Sequence, residues 1–312
     1  MPFEKAILVT KKTRLEELVI RFGSERQARF YIERNDQNFD VYAQEHSSYK
    51  AALELVRPAL ASFDELKLQM LDRSLVKSYL FNQKDIIVAL GPDGLVANTA
   101  KYVGQQPIVA VNPDPERIDG ILLPFRPDEV KRAVQLAVRN DLPVRNVTLG
   151  EAILSDGQKL LAFNDFFIGA RTHVSARYRI CFGKADERQS SSGVIVSTGA
   201  GSTGWLSSVI NMASGISSAC GGRKVSGPKL AWNERKLVFA VREPFVSKSS
   251  QAETTFGLID SNRALTIESQ MPLNGVIFSD GVEDDLIHFN SGARVTIKPA
   301  AHQAALASNP KS

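Results

Sequence analysis

The chain has 312 residues, of which 43% are hydrophobic and 23% charged. This composition is typical of a folded globular protein with room for two domains, and it excludes disordered and fibrous classes. The net charge of +4 arises from basic residues interleaved with acidic ones. Because no run of Lys and Arg marks a polymer-binding stripe, we expect no nucleic-acid partner.

The apolar runs, the first residues and the cysteines of the chain indicate its cellular location and its metal binding. No apolar run approaches the ~20 residues needed to cross a bilayer, so we expect no membrane partner. A core-like segment begins at Lys5, which leaves no room for a targeting peptide. The two cysteines, Cys181 and Cys220, form neither a disulfide framework nor a metal-binding pair. We expect a soluble, cytoplasmic protein without metal ligands among its own side chains.

The first part of the chain alternates short apolar runs with helical patterns. Asp85–Leu90 is a β-branched run with turn residues behind it, as in a central parallel strand. Other expected elements are strands at Ala6–Thr10 and Pro107–Val111, a helix capped by Thr13, a helix over Tyr49–Leu60 broken near Pro58, and helices over Gly94–Val103 and Pro127–Arg139. Together they predict an open, mostly parallel α/β sheet that binds ligands at the carboxyl ends of its strands.

From about residue 141 onward the pattern becomes that of a mainly antiparallel β domain. Val147–Leu154 and Lys159–Gly169 are predicted strands that flank the hairpin turn Ser155-Asp156-Gly157. Further short strands are expected as far as Arg294–Lys298, with Gly183–Ser192 as one of the polar loops between them. The tail from Ala300 to Ser312 is expected to be a short helix or frayed. The predicted domains are residues 1–140 and 141–285, with 286–312 as a C-terminal segment returning to the first.

The loop Gly91-Pro92-Asp93-Gly94 is the first segment that suits chemistry. Taken alone, Pro followed by Asp and Gly is a common tight-turn composition. Its position between a buried strand and a helix favours phosphate binding instead, because free backbone N–H groups and the helix dipole attract anions there. Asp93 would then lie beside an attacking hydroxyl.

The small-residue loop Thr198–Thr203 is the second such segment. It is either a flexible linker or a phosphate-binding loop, since it lies between an apolar strand and an apolar helix beginning near Trp205. Asn164-Asp165 interrupts an apolar stretch, where two polar residues either cap a bulge or bind ribose hydroxyls. After the strand ending at Val111, Arg117 is a candidate to bind phosphate or to form a surface salt bridge with Asp114 or Glu116.

Taken in order, these segments resemble the NAD kinase family, which shares a superfamily with lipid kinases. Gly91–Gly94 is similar to the family's Gly-Gly-Asp-Gly loop, Asn164-Asp165 to its Asn-Glu/Asp pair, and Thr198–Trp205 to its Thr-Gly-Ser loop. The mitochondrial branch is the most similar. The features shared with that branch are Asn112–Arg117, Ser191-Ser192-Gly193, Gly201-Ser202 with Trp205, Arg242-Glu243-Pro244 and Ser279-Asp280-Gly281.

The resemblance implies ATP-dependent phosphorylation of the adenosine ribose 2′-hydroxyl of NAD or NADH, in an active site between an α/β domain and a β-rich domain. It implies that Mg²⁺ enters with ATP and that the protein is a homodimer or a higher homo-oligomer. Asp93 would be catalytic. Phosphate or ATP would be bound by Gly91, Gly94, Asn98, Thr198, Gly199, Gly201, Ser202 and Thr203. NAD would be bound by Asn112, Arg117, Asn164, Asp165, Ser192 and Trp205.

Two positions depart from the family loop and keep alternatives open. Pro92 stands where the family has glycine and has no N–H to donate, and Leu95 stands where threonine is usual. A kinase for another hydroxyl substrate, such as a lipid or a sugar, is one alternative. A nucleotide-binding sensor without turnover is the other.

Overall fold

The computed structural model describes residues 3–309. By its internal contacts the chain divides into two units, one comprising the described residues up to Arg145 and from Ala305 onward, the other Asn146–Ala304. The boundaries expected from the sequence, after residues 140 and 285, both lie earlier in the chain than these observed boundaries after residues 145 and 304. Between residues 3 and 309, no helix has the length and apolar character needed to span a bilayer.

The first unit is built on a parallel sheet in the order β2-β1-β3-β4. Its elements are β1 (Lys5–Thr10), α1 (Arg14–Phe22), α2 (Glu25–Arg34), α3 (Phe39–Ala61), β2 (Lys67–Asp72), β3 (Asp85–Leu90), α4 (Asp93–Ala100), β4 (Pro107–Val111) and α5 (Val130–Val138). Every residue of β3 is buried, as expected for a strand covered on both faces. The predicted central parallel strand and α/β class are confirmed.

The helices of this unit begin and end where local chemistry satisfies their free backbone groups. The Thr13 hydroxyl accepts the Glu16 N–H, and the Glu16 carboxylate accepts the Thr13 N–H, which forms a capping box for α1. The prediction that a helix breaks near Pro58 is wrong, because α3 continues to Ala61. Pro58 lies in the last turn, where a missing N–H removes a single helical hydrogen bond and little helix remains to be disrupted.

The remaining strands are mainly antiparallel and lie in two sheets. Six of them belong to the ten-stranded sheet that also contains β1 to β4: β5 (Val144–Leu154), β6 (Lys159–Ala162), β8 (Ala176–Phe182), β9 (Ala185–Ser191), β13 (Leu265–Ser269) and β16 (Arg294–Ala307). The other has the order β12 (Phe256–Ile259), β11 (Leu237–Val241), β10 (Val194–Ser197), β7 (Asp165–Ala170), β14 (Gly275–Ser279), β15 (Val282–His288). Side chains of both sheets form one buried cluster that includes Tyr178, Phe239 and Phe289. The helix α6 (Trp205–Ala219) follows β10.

Three sequence-based expectations for this part of the chain are wrong. Lys159–Gly169 is two strands in different sheets, β6 and β7, because the chain crosses between the sheets at Phe163-Asn164. The expected loop Gly183–Ser192 contains strand β9, in which the polar side chains of Glu187 and Gln189 are buried and hydrogen-bonded. Polar composition there reflects buried hydrogen bonding and not a loop.

The third error concerns the tail from Ala300. As far as Ala307 this tail is neither a short helix nor frayed. It continues β16, and Ala305 and Leu306 pair in parallel with Pro107 and Ile108 of β4. Alanine is a poor strand former, but small side chains fit where Ala304–Ala307 are buried. The end of that expectation, residues 310–312, lies outside the described residues.

Candidate active site

The predicted site residues fall into two groups, one in each unit. Asp93 is the first residue of α4 and follows β3 at the carboxyl end of the parallel sheet. Its Oδ1 accepts the backbone N–H of Leu122 at 2.7 Å, and within residues 3–309 its other oxygen has no hydrogen-bond partner. The side chain is half-buried. Asp93 is therefore held by one oxygen while the other is available to a ligand.

The backbone around Asp93 offers fewer donors than the sequence suggests. The Gly91 N–H donates to the Val111 carbonyl, and a Cβ at Gly91 would lie 2.7 Å from Cδ2 of Leu95. Pro92 is the N-cap of α4 and makes no side-chain cap hydrogen bond. Gly94 is exposed with open space beside it. Of the two predicted glycine contacts, Gly94 is the accessible one.

Asn98 lies one helical turn after Gly94, on the same face of α4. It is 6% exposed, and its Oδ1 is a buried acceptor that has no partner in the described chain. An unpaired buried amide oxygen costs free energy, and such groups are rare unless they have a function.

The predicted NAD contacts Asn112 and Arg117 have partners within their own loop. Asn112 accepts the Asp114 N–H and donates to the Ile118 carbonyl. Arg117 forms an ion pair with Asp114 at 2.7 Å, which is the salt-bridge alternative. The loop that they shape carries Leu122, whose N–H binds Asp93. Sequence reasoning missed Leu122, since a contact made by a backbone N–H leaves no residue signature.

In the second unit, the structure brings together two segments that sequence reasoning treated separately. The Thr198 N–H donates to the Asn164 carbonyl at 2.8 Å, and the Thr198 hydroxyl donates to the Phe163 carbonyl at 2.6 Å. A Cβ at Gly201 would lie 2.1 Å from the Asn164 carbonyl oxygen, so only glycine permits this approach. The small-residue loop is thus packed directly on the crossing between β6 and β7.

Asp280 organises the same crossing from the other side. Its carboxylate accepts the backbone N–H groups of Phe163 at 3.0 Å, Asn164 at 2.6 Å and Asp165 at 3.3 Å. Asp165 as a residue is only 8% exposed, and its carboxyl has no hydrogen-bond partner within the described residues. Burial, together with the negative charge of Asp280, raises the pKa of Asp165 to about 7. A half-buried Asn164 amide and a carboxyl that changes charge near neutrality suit binding of hydroxyl groups.

Most hydroxyls of the Thr198–Thr203 loop are already paired. Thr198 Oγ1 also accepts the Gly201 N–H, and Ser202 Oγ donates to the Gly199 carbonyl. Gly199 packs against the Ala231 carbonyl, and a Cβ at position 199 would lie 2.4 Å from that carbonyl oxygen. Thr203 is exposed, and its hydroxyl has no partner in the part of the chain that is described. Thr203 is therefore the side chain of this loop that is free to bind phosphate.

A cavity of about 460 Å³ is lined by the predicted NAD contacts Ser192 and Trp205 together with aromatic, polar and charged side chains. The ring of Trp205 stacks on Phe167 at 5.7 Å with an interplanar angle of 9°, and the Arg242 guanidinium lies 5.4 Å from the Trp205 ring centroid. Phe278 packs against Phe167 at 5.1 Å. The lining thus joins three aromatic rings to polar and charged side chains such as Arg242 and Glu243, and stacked rings beside polar groups suit a planar polar ligand. Phe167 and Phe278 were missed because strand phenylalanines look like ordinary core residues.

The described residues include no group of three or more His, Cys, Asp or Glu side chains arranged to hold a metal ion. This fits Mg²⁺ that enters with ATP, because Mg²⁺ keeps several waters and is bound largely through substrate phosphates.

The comparisons with known proteins concern the fold. Yeast NADH kinase complexed with NADH aligns with 100% of this chain and 85% of its own, with a TM-score of 0.61 and 16% identity. An NAD kinase from Archaeoglobus fulgidus in complex with ATP aligns with 98% of this chain and 94% of its own, with a TM-score of 0.58 and 17% identity. The chain therefore has the fold of NAD kinases. The sequence itself matches no family profile and no curated protein.

Proposed function

We propose that this chain is an NAD kinase, which transfers the γ-phosphoryl group of ATP to the adenosine ribose 2′-hydroxyl of NAD or NADH. The observation that carries the proposal is the state of Asp93. One oxygen is fixed by the Leu122 N–H and the other is unpaired, at the carboxyl end of a parallel strand. A carboxylate so held is suited to orient a hydroxyl and accept its proton.

Each group of candidate residues would have its own role in this reaction. Asp93 would accept the 2′-hydroxyl proton, while the Gly94 backbone and Thr203 would hold phosphate oxygens. Asn164 and Asp165 would bind ribose hydroxyls, and the cavity with Ser192 and Trp205 would hold a base of NAD. Bound Mg²⁺ would offset negative charge on the phosphates. Phosphoryl transfer depends on positioning and charge stabilisation, so these few groups suffice.

The finer assignments belong to the same proposal. We place the chain nearest the mitochondrial branch of NAD kinases and expect a cytoplasmic homodimer or higher homo-oligomer. Size-exclusion chromatography with light scattering tests the assembly. A monomer at assay concentration contradicts that part alone.

The direct test incubates purified protein with ATP, Mg²⁺ and either NAD or NADH. The product is measured with a dehydrogenase that is specific for NADP. We expect NADP or NADPH to accumulate in proportion to protein. A parallel panel of lipid and sugar acceptors tests the wider superfamily, and phosphorylation of one of these in place of NAD would overturn the assignment.

A nucleotide-binding sensor is the second candidate, and the packing of Leu95 favours it. Leu95 is 1% exposed and fills the space beside Gly91, while Pro92 has no N–H to donate. A loop with fewer donors would bind nucleotide without fast turnover. Calorimetric binding of NAD without product from any nucleoside triphosphate or polyphosphate would favour the sensor.

A further inference from the structure

The strand order of the first unit marks a place for a ligand. The chain leaves β1 towards β2 on one side, and it leaves β3 towards β4 on the other. In open parallel sheets, the point where the connections diverge leaves a crevice at the carboxyl ends of the two central strands. Here that point lies between β1 and β3, beyond Thr10 and Leu90.

A cavity of about 230 Å³ lies at this edge of the sheet, and we name it the β1–β3 cavity. Its lining comes from segments that directly follow three parallel strands: Lys11 after β1, Pro92 after β3, and Pro113 with Asp114 after β4. Arg14, Glu45, Tyr49 and Ile118 complete it. Since one water molecule occupies about 30 Å³ of liquid, the cavity has room for a ligand group.

The β1–β3 cavity is lined by two basic and two acidic side chains, and all of them except Lys11 are in ion pairs. Arg14 is paired with Glu45 at 2.5 Å, and Asp114 is paired with Arg117 at 2.7 Å. The ammonium of Lys11 has no carboxylate partner among residues 3–309. Lys11 is also half-buried, so it is not a fully solvated surface lysine.

Tyr49 does not compensate this charge. Its hydroxyl accepts the Lys11 N–H at 3.0 Å and donates to the Leu90 carbonyl at 3.1 Å. Burial raises the pKa of Tyr49 to about 12, so its hydroxyl stays neutral. The same hydroxyl links the ends of β1 and β3 through the Lys11 N–H and the Leu90 carbonyl. The cavity therefore contains one ammonium, that of Lys11, without an ion-pair partner among residues 3–309.

We propose that Lys11 binds phosphate oxygens of a nucleotide in the β1–β3 cavity, beside the loop in which Pro92 lacks an N–H. This inference rests on the proposed function, because it assigns a phosphate contact to the same nucleotide-binding machinery. A lysine ammonium is a point charge that does not require the exact backbone geometry of a glycine loop. Lys11 would thus supply a phosphate contact in the same cavity that Pro92, which has no N–H to donate, also lines. The phosphate belongs either to the triphosphate of ATP or to the diphosphate of NAD.

Calorimetric titration of Lys11→Met, Lys11→Arg and Lys12→Met separates these sources without requiring turnover. The ligands are ATP with Mg²⁺, NAD, and inorganic tripolyphosphate. Lys12 is the matched control because it is adjacent, exposed and outside the cavity lining. We expect Lys11→Met to weaken binding roughly 10- to 100-fold, as for loss of a charged hydrogen bond. Lys11→Arg and Lys12→Met should bind within a few-fold of the unchanged protein.

Weaker binding of ATP and tripolyphosphate in Lys11→Met supports a donor phosphate, and weaker binding of NAD alone supports the NAD diphosphate. Circular dichroism verifies that each variant is folded. Unchanged affinity for all three ligands in folded Lys11→Met overturns the proposal, as does an equal loss in Lys12→Met. If Lys11-dependent binding is found but no NADP forms, the cavity assignment stands and the kinase assignment fails.

Discussion

The carboxyl groups of Asp165 and Asp280 lie at one crossing between two sheets and have opposite roles there. The Asp280 carboxylate accepts three backbone N–H groups, whereas the carboxyl of the buried residue Asp165 has no hydrogen-bond partner among residues 3–309. The charge of Asp280, added to burial, makes ionisation of Asp165 unfavourable. One carboxylate shapes the backbone, and the other remains available to a ligand.

The raised pKa of Asp165 predicts how stability depends on pH. Its folded-state pKa of about 7 exceeds the ordinary value of 3.8, so the folded state holds a proton that the unfolded state has lost. Asp165 therefore reduces stability progressively as pH rises through this window, and the reduction is complete above the folded-state pKa. Asp165→Asn has no charge to form. The stability of the variant relative to the unchanged protein should rise by roughly 3 kcal/mol between about pH 5 and about pH 8.

Urea unfolding of both proteins across that pH range measures the difference. Groups that titrate in both proteins cancel, so the comparison isolates Asp165. A difference that stays constant with pH would mean that Asp165 is already ionised at the lower pH.

Replacement of Asp280 should destabilise the second unit in a graded way. Asp280→Ala leaves the N–H groups of Phe163, Asn164 and Asp165 without their acceptor. Each of these groups that stays out of contact with water should lower the free energy of unfolding by about 1–3 kcal/mol. Asp280→Asn retains one carbonyl oxygen. Asparagine also tolerates the left-handed backbone at this position, where φ is 54°.

We therefore expect the free energy of unfolding, measured by chemical denaturation, to be highest for the unchanged protein, lower for Asp280→Asn and lowest for Asp280→Ala. Equal stability of the two variants would show that the carboxylate hydrogen bonds contribute little to the crossing.

Asp93→Asn tests the chemistry at the first loop. Asparagine keeps an oxygen that accepts the Leu122 N–H, so local structure should be preserved. It cannot accept a proton from a hydroxyl. We expect kcat for NADP formation to fall by about 10²- to 10⁴-fold, while the melting temperature changes little.

Asp93→Ala is the companion variant, because it removes both the proton acceptor and the Leu122 hydrogen bond. It should lose activity and also some stability. Full turnover in Asp93→Asn would exclude Asp93 as the base.

Gly201→Ala and Gly215→Ala form a matched pair that tests the close approach to Asn164. A methyl group at Gly201 would meet the Asn164 carbonyl at 2.1 Å, so the loop or the crossing must shift. Gly215 lies within α6 with nothing near its would-be Cβ. There alanine should stabilise the helix by about 0.5–1 kcal/mol.

The readout is the free energy of unfolding together with the KM for NAD. We expect Gly201→Ala to lower stability and raise KM, and Gly215→Ala to do neither. Identical behaviour of the pair would argue against tight packing of the loop on the crossing.

What the sequence determined by itself is local. The apolar run Asp85–Leu90 followed by Gly91–Gly94 predicts a buried strand, a turn and a helix, because burial pattern and turn chemistry act over a few residues. Thr13 and Glu16 likewise specify a helix start. The order of such segments was enough to predict an α/β part and a β-rich part, and both are present.

What only the tertiary structure decided involves partners far apart in the chain. The Asp280 carboxylate accepts N–H groups from residues 115 to 117 positions away in the chain. The strands β6 and β7 belong to different sheets although their sequence has the pattern of one apolar stretch. Lys11 becomes a candidate phosphate ligand only when β1 and β3 are neighbours and the other charged residues lining the β1–β3 cavity form ion pairs. Hydrogen bonds and charge balance between distant segments carry no local periodicity, so the sequence pattern could name Asp93 and Asp165 but not the groups that set their states.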